Sequence, residues 1–171
     1  TFWEQVDLFD KRTVSSCLIA DGLVIGTCGS GGGGNYLVAL KPGNGGEGST
    51  PSLAYKLRRS IPYVPTSLAK DGLLFLWGDA GIVTCVRAKS GEIVWQERVE
   101  GQFFGSPVWA EERLLCISTT GKVVVLAATE SFRQVAVNDL GEPTHSTPAL
   151  AGGRLFLRTL GHLTCVAGGP E

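Results

Sequence analysis

The stretch TCGSGGGGNYLVAL, Thr27 to Leu40, places five glycines in the six positions from Gly29 to Gly34. A glycine-dense loop is a candidate phosphate cradle, because bare backbone amides can close around an anion. That chemistry needs a lysine and a serine or threonine after the glycines, then a helix whose first amides face the phosphate. Here Asn35 and the strand-like run YLVAL follow instead. A dinucleotide fingerprint fails for the same reason, since it too opens a helix. The run therefore reads as a loop between two strands, and a nucleotide role is set aside.

The remaining reactive side chains are sparse. His145 and His162 are the only histidines. The segment HLTC, His162 to Cys165, has a metal-like spacing, but on a strand positions i and i+3 point to opposite faces. Asp139, His145 and Ser146 contain the residue types of a hydrolytic triad, but neighbours on one loop provide no such geometry. The five cysteines, Cys17, Cys28, Cys85, Cys116 and Cys165, are odd in number and show no Cys-x-x-Cys pair. Each sits in an apolar run, where cysteine packs as a small hydrophobe. A disulfide framework or zinc site is not expected.

Composition narrows the field further. The chain has 171 residues, 43% hydrophobic and 18% charged, which suits one globular domain with a sizeable core. A net charge of −1 argues against nucleic acid, whose phosphates demand a basic surplus. No apolar run approaches the roughly 18 residues of a membrane span. The chain has no methionine and starts at Thr1 with no signal-peptide pattern, and so reads as part of a longer protein.

Any site must therefore be assembled by the fold, and the fold is written as a repeat. Leu73, Leu114 and Leu155 recur at intervals of 41. The turn glycines Gly81, Gly121 and Gly161 recur at intervals of 40. A first, expanded copy runs from Ser15 to Gly43, with the ADG turn of Ala20 to Gly22 matching KDG at Lys70 to Gly72. Within each copy, short runs rich in Val, Ile, Leu and Thr alternate with Asp-Gly, Gly-Gly or Thr-Gly punctuation, and none has helical periodicity. In the third copy the strands fall near Val108–Ala110, Arg113–Ser118, Lys122–Ala127 and Arg133–Val137. Four short strands in about 40–45 residues are the signature of a β-propeller blade.

The expected fold is all-β, with about four four-stranded antiparallel blades at residues 15–60, 61–102, 103–143 and 144–171. The last copy has only three strands, and residues 2–8 are expected to supply its fourth. Trp3, Trp77, Trp95 and Trp109 are expected to pack between blades. Four blades could close as a small ring, form half of an eight-bladed propeller, or pair with a second chain in a dimeric ring; the pattern leaves all three open.

The segments AKSGEIVWQERV (Ala88 to Val99), GSPVWAEERLLCISTTGKVVVL (Gly105 to Leu126) and STPALAGGRLFLRTLGHLTCV (Ser146 to Val166) resemble the PQQ-like, quinoprotein dehydrogenase-like β-propeller repeat. The last is similar to the C-terminal end of bacterial members of planctomycete type. The resemblance implies a seven- or eight-bladed propeller in a full-length, exported protein. Some members of the family are PQQ- and calcium-dependent dehydrogenases; others are scaffolds. The enzymes carry an adjacent Cys-Cys pair and an acidic calcium site, and neither pattern occurs here. No catalytic residue, metal ligand or cofactor carries over.

Strand parity then selects a face. In a blade a-b-c-d, the b–c loops and the d–a connections leave on the same side. That side gathers Gly31 and Gly32 of the glycine run with Arg58, Arg59, Tyr63, Asp79, Phe103, Phe104 and His145. Function concentrates on such loops. The sequence therefore reads as a non-catalytic scaffold binding a protein or extracellular ligand there. The alternatives are half of a PQQ-dependent oxidoreductase and an extracytoplasmic sensor domain. The polar Gly-rich stretch that opens Lys41 to Ser60 is read as a mobile loop on the opposite side.

Overall fold

The computed structural model describes residues 3–43 and 49–168. Phe2 and the centre of the second Gly-rich stretch, residues 44–48, lie outside these ranges. Fifteen strands and no helix make up the described residues, in four separate antiparallel sheets. Blade 1 is β1 (Leu18–Ala20), β2 (Leu23–Cys28), β3 (Tyr36–Lys41) and β4 (Ser52–Leu57). Blade 2 is β5 (Leu68–Lys70), β6 (Leu73–Trp77), β7 (Ile82–Arg87) and β8 (Ile93–Arg98). Blade 3 is β9 (Val108–Ala110), β10 (Arg113–Ile117), β11 (Lys122–Ala127) and β12 (Gln134–Asp139). Blade 4 has three strands, β13 (Ala149–Ala151), β14 (Arg154–Arg158) and β15 (Leu163–Ala167). Strands pair in chain order within each sheet.

Local chemistry sets these strands. Asp21–Gly22 and Asp71–Gly72 close the first hairpins of blades 1 and 2 with positive φ at both positions, the turn whose twist matches the flanking strands. The third strand shifts register against the fourth at Ala39/Leu40, Cys85/Val86 and Val125/Leu126. Each four-stranded blade thus carries a bulge at the same place, which increases its twist.

The blades stack face to face, and period-2 alternation gives each an apolar row on both sides. Leu23, Ile25, Leu37 and Ala39 of blade 1 meet Leu74, Leu76 and Val86 of blade 2. Phe75, Trp77, Val83 and Cys85 of blade 2 meet Leu114, Cys116, Val124 and Leu126 of blade 3. Leu115, Ile117, Val123 and Val125 of blade 3 meet Leu155 and Leu157 of blade 4. Trp77 is fully buried in this way and Trp95 packs beside it, but Trp109 is 45% exposed. Cys28, Cys85 and Cys116 are buried as expected, and burial pushes the Cys85 thiol up to about 12. Cys17 and Cys165 are exposed, against expectation: Cys17 lies outside the strands, and Cys165 is on a strand with no neighbour beyond it.

Two hydrogen-bond series tie blade to blade. The Ser16 amide donates to Thr66 Oγ1 at 3.1 Å, Thr66 to Ser106 Oγ at 2.9 Å, and Ser106 to Thr147 Oγ1 at 2.9 Å. Each of these residues stands two positions before the inner strand of its blade. On the loop face, Gly29, Thr119 and Leu160 donate their amides to the carbonyls of Arg12, Gln102 and Pro143, at the same chain separation each time.

The N-terminal segment does not complete blade 4. Residues 3–8 form no strand, and Leu8 and Phe9 pack on blade 1 against Cys28, Tyr36, Val38 and Leu40. The Tyr36 hydroxyl holds the segment there, donating to Asp10 Oδ1 at 2.7 Å and accepting from the Asp10 amide at 3.0 Å. Arg12 sits at the connector position before blade 1, bridged to Gly29, and among the described residues the segment pairs with no strand of blade 4.

Candidate functional site

The glycine run is a b–c loop, as its strand context requires, joining β2 to β3. Its shape comes from Asn35, which the sequence reading passed over. Asn35 Oδ1 accepts from the Ser30 amide at 3.0 Å, and Nδ2 donates to the Ile61 carbonyl at 3.2 Å. One side chain thus folds the loop and fastens it to the connector between blades 1 and 2. Gly33 donates to the Ser30 carbonyl at 3.0 Å, and Lys11 Nζ reaches the Gly33 carbonyl at 2.9 Å. Gly33 and Gly34 both have positive φ, at 91° and 68°, which explains glycine at those two positions.

Asp79 plays the matching part on blade 2. Its two carboxylate oxygens accept from the amides of Tyr63 at 2.6 Å and Val64 at 3.0 Å. Its backbone carbonyl accepts from Phe103 at 2.8 Å. The connectors on both sides are therefore pinned to this one loop. Gly81, which ends the loop at φ 82°, has no room for a Cβ: the carbonyls of Val99 and Gly101 occupy that space.

Between these loops lies a cavity of about 480 Å³, lined chiefly by Ser30, Gly31, Asn35, Tyr63, Asp79 and Phe104. Four of the sequence candidates, Gly31, Tyr63, Asp79 and Phe104, meet there. His145 stands next to it, edge-on to the Phe104 ring at 5.1 Å. Gly32 is exposed in the same loop. Arg58 and Arg59 lie apart, in a second depression with Lys56, Leu76 and Ile93, and Arg58 stacks over the Tyr36 ring at 5.6 Å. Phe103 faces inward: it is fully buried, edge-on to Trp77 at 5.3 Å. Parity of neighbouring residues explains this, since Phe104 then has to point out.

The cavity is neutral in character. Asp79 is the one carboxylate lining it among the described residues, and both its oxygens are taken by amides. Among its described lining residues the cavity thus presents no free carboxylate. On blade 4 the same face carries a tighter polar knot. Glu142 accepts from Thr159 Oγ1 at 2.6 Å, the Gly161 amide at 3.1 Å and His162 Nδ1 at 2.6 Å. The Thr159 hydroxyl, then the Gly161 amide and His162, hold its carboxyl below the usual value. His162 is thus engaged by Glu142 in closing the loop, and the described residues hold no group of three or more His, Cys, Asp or Glu placed to bind a metal.

A family described as outer membrane protein assembly factor BamB matches residues 33–166. No curated protein sequence matches the chain. Among solved structures, BamB from Moraxella catarrhalis superposes with a TM-score of 0.74 at 16% identity, over 96% of this chain and 49% of its own. A europium-containing methanol dehydrogenase gives 0.57 at 10% identity, over 80% of this chain and 29% of its own. The computationally designed Ika4 protein gives 0.72 at 10% identity, over 99% of this chain and 98% of its own. At such identities the likeness is one of fold, and the chain spans about half the length of that BamB.

Proposed function

Because this chain belongs to the PQQ-like β-propeller family of the outer membrane protein assembly factor BamB, we propose that it is a non-catalytic scaffold that binds an extended polypeptide on its loop face. The observation that carries this reading is the cavity between the loops of blades 1 and 2 and the two connectors. Its walls are backbone, small side chains and two aromatic rings, Tyr63 and Phe104. Phe104 is 43% exposed, so a large apolar surface waits at its rim. With the Asp79 carboxylate consumed, the cavity favours an uncharged side chain over an anion. Aromatic platforms that give much contact for little entropy are typical of polypeptide recognition. The family's description, outer membrane protein assembly, fits a partner chain of alternating apolar residues met outside the cytoplasm. No cofactor enters this reading.

The test is a titration with fluorescein-labelled peptides of alternating apolar and polar residues, against charged and scrambled controls. The apolar set binds, and Phe104→Asp weakens it by about tenfold or more, as loss of a central aromatic anchor does. Equal binding by Phe104→Asp, or quenching of the tryptophans by added PQQ and calcium, counts against the scaffold reading.

A further inference from the structure

The outer strands of the first three blades are alike in pairing and unlike in charge. Among the described residues β4, β8 and β12 each pair with one neighbour, so each turns alternate backbone amides and carbonyls outward along a free edge. β8 and its exit carry Glu97, Arg98 and Glu100, and β12 and its exit carry Asp139 and Glu142. β4 and its exit carry Lys56, Arg58 and Arg59, and no aspartate or glutamate occurs from Ser49 to Lys70. All three cations are exposed, and none takes part in an ion pair among the described residues.

Alternation sends the side chains of β4 into two different surroundings. Lys56 and Arg58 lie on the side of Tyr36, with Lys56 Nζ 3.7 Å and the Arg58 guanidinium 5.6 Å from the centre of its ring. Tyr55 and Leu57 face blade 2, where the Tyr55 hydroxyl donates to the Ala88 carbonyl at 2.6 Å. On that side a depression of about 320 Å³ opens beside the strand, walled in part by Leu57, Leu76, Val86 and Ile93. Thr84 also lines it, but its hydroxyl oxygen already accepts from Gln96 Nε2 at 2.8 Å. Ile93 is 55% exposed. This apolar pair is particular to blades 1 and 2: by register, Glu97 takes the place of Leu57 and Gln134 that of Ile93 at the next interface.

We propose that β4 takes an extended segment of a partner protein as a fifth strand of blade 1, and that this segment alternates carboxylate and apolar side chains. The free edge supplies main-chain hydrogen bonds, and the side chains select the sequence. An added strand has the same two faces as β4. One row of its side chains meets Lys56 and Arg58 and is matched by carboxylates, since opposite charges on adjacent strands attract and like charges repel. The other row lies over Leu57 and Ile93 and is matched by apolar groups. The uncompensated positive charge favours this partner over an apolar or a basic strand. The site is separate from the cavity on the loop face, whose described walls hold no lysine or arginine.

The test uses the whole chain and a fluorescein-labelled peptide of alternating valine and glutamate, with alternating valine and lysine as the control, followed by anisotropy. The glutamate peptide binds and the lysine peptide does not. Lys56→Glu with Arg58→Glu weakens binding by about tenfold or more, because attraction becomes repulsion at two exposed positions. Ile93→Ser weakens it to a smaller extent, and Phe104→Asp leaves it unchanged. Hydrogen–deuterium exchange with the glutamate peptide bound slows the amides of β4, residues 52–57. Equal binding of the lysine peptide, a double variant that binds as the parent does, or binding without protection of β4 would each overturn the proposal. So would absence of binding, which would leave Lys56 and Arg58 as charges that keep the edge from pairing.

Discussion

Phe103 and Phe104 are neighbours in the chain and opposite in role, and substituting each with alanine separates packing from recognition. Phe103 is fully buried between blades 2 and 3, its ring centroid 5.3 Å from that of Trp77. Removing a buried phenylalanine ring costs about 3–5 kcal/mol, through lost transfer energy and the cavity left behind. The edge-on pair accounts for roughly 0.5–1.5 kcal/mol of that beyond area burial. In a chain of this size each kcal/mol lowers the melting temperature by about 2–4 °C, so Phe103→Ala falls by roughly 6–20 °C. Phe104 is 43% exposed and touches His145 only edge-on. Phe104→Ala therefore stays within about 0.5 kcal/mol of the parent, as surface changes do. Thermal melts followed by far-ultraviolet circular dichroism measure both, and peptide titration of the folded variants measures binding. Phe103→Ala should bind per folded molecule as the parent does, while Phe104→Ala loses affinity. A Phe103→Ala protein within about 1 kcal/mol of the parent, or a large stability loss in Phe104→Ala, would refute the division of roles.

Gly121→Ala destabilises the chain by about 1–2 kcal/mol or more in urea unfolding, since φ is 90° there and the Glu142 carbonyl fills the space a Cβ needs. Glu142 titrates below its ordinary 4.5, so its clamp on Thr159 and Gly161 is intact above that value and lost as pH falls through the folded pKa. The Gly161 amide signal should shift over that acid window, and Glu142→Gln should abolish the transition. A thiol reagent modifies Cys17 and Cys165 at once and reaches Cys28, Cys85 and Cys116 only on unfolding.

Much of the fold was legible because a propeller repeats its punctuation. The leucines of the second strands mark every copy and an Asp-Gly turn marks the first two, and the third blade's observed strands lie within a residue or two of those expected. Residues 3–8 form no strand: an apolar run shows that a strand can form, while its partner depends on where the connector leads. The same gap hid the ladder through Ser16, Thr66, Ser106 and Thr147: its signal is a hydroxyl two residues before each inner strand, visible only once those strands are aligned. Parity alone brought Gly31, Tyr63, Asp79 and Phe104 to one face. It could not separate Phe103 from Phe104, because that choice depends on the twist of an irregular connector. Nor could it show that the Asp79 carboxylate is spent on two amides, or that Asn35 shapes the glycine loop. Polar side chains that close loops carry no period.

The account's central claim is that a polypeptide binds between the loops of blades 1 and 2, and hydrogen–deuterium exchange with the apolar peptide bound tests it most directly. Protection confined to 30–35, 63–64, 79–80 and 102–104, the segments that line the cavity, is the result expected. Protection on the outer strands β4, β8 and β12, or none at peptide saturation, would contradict it.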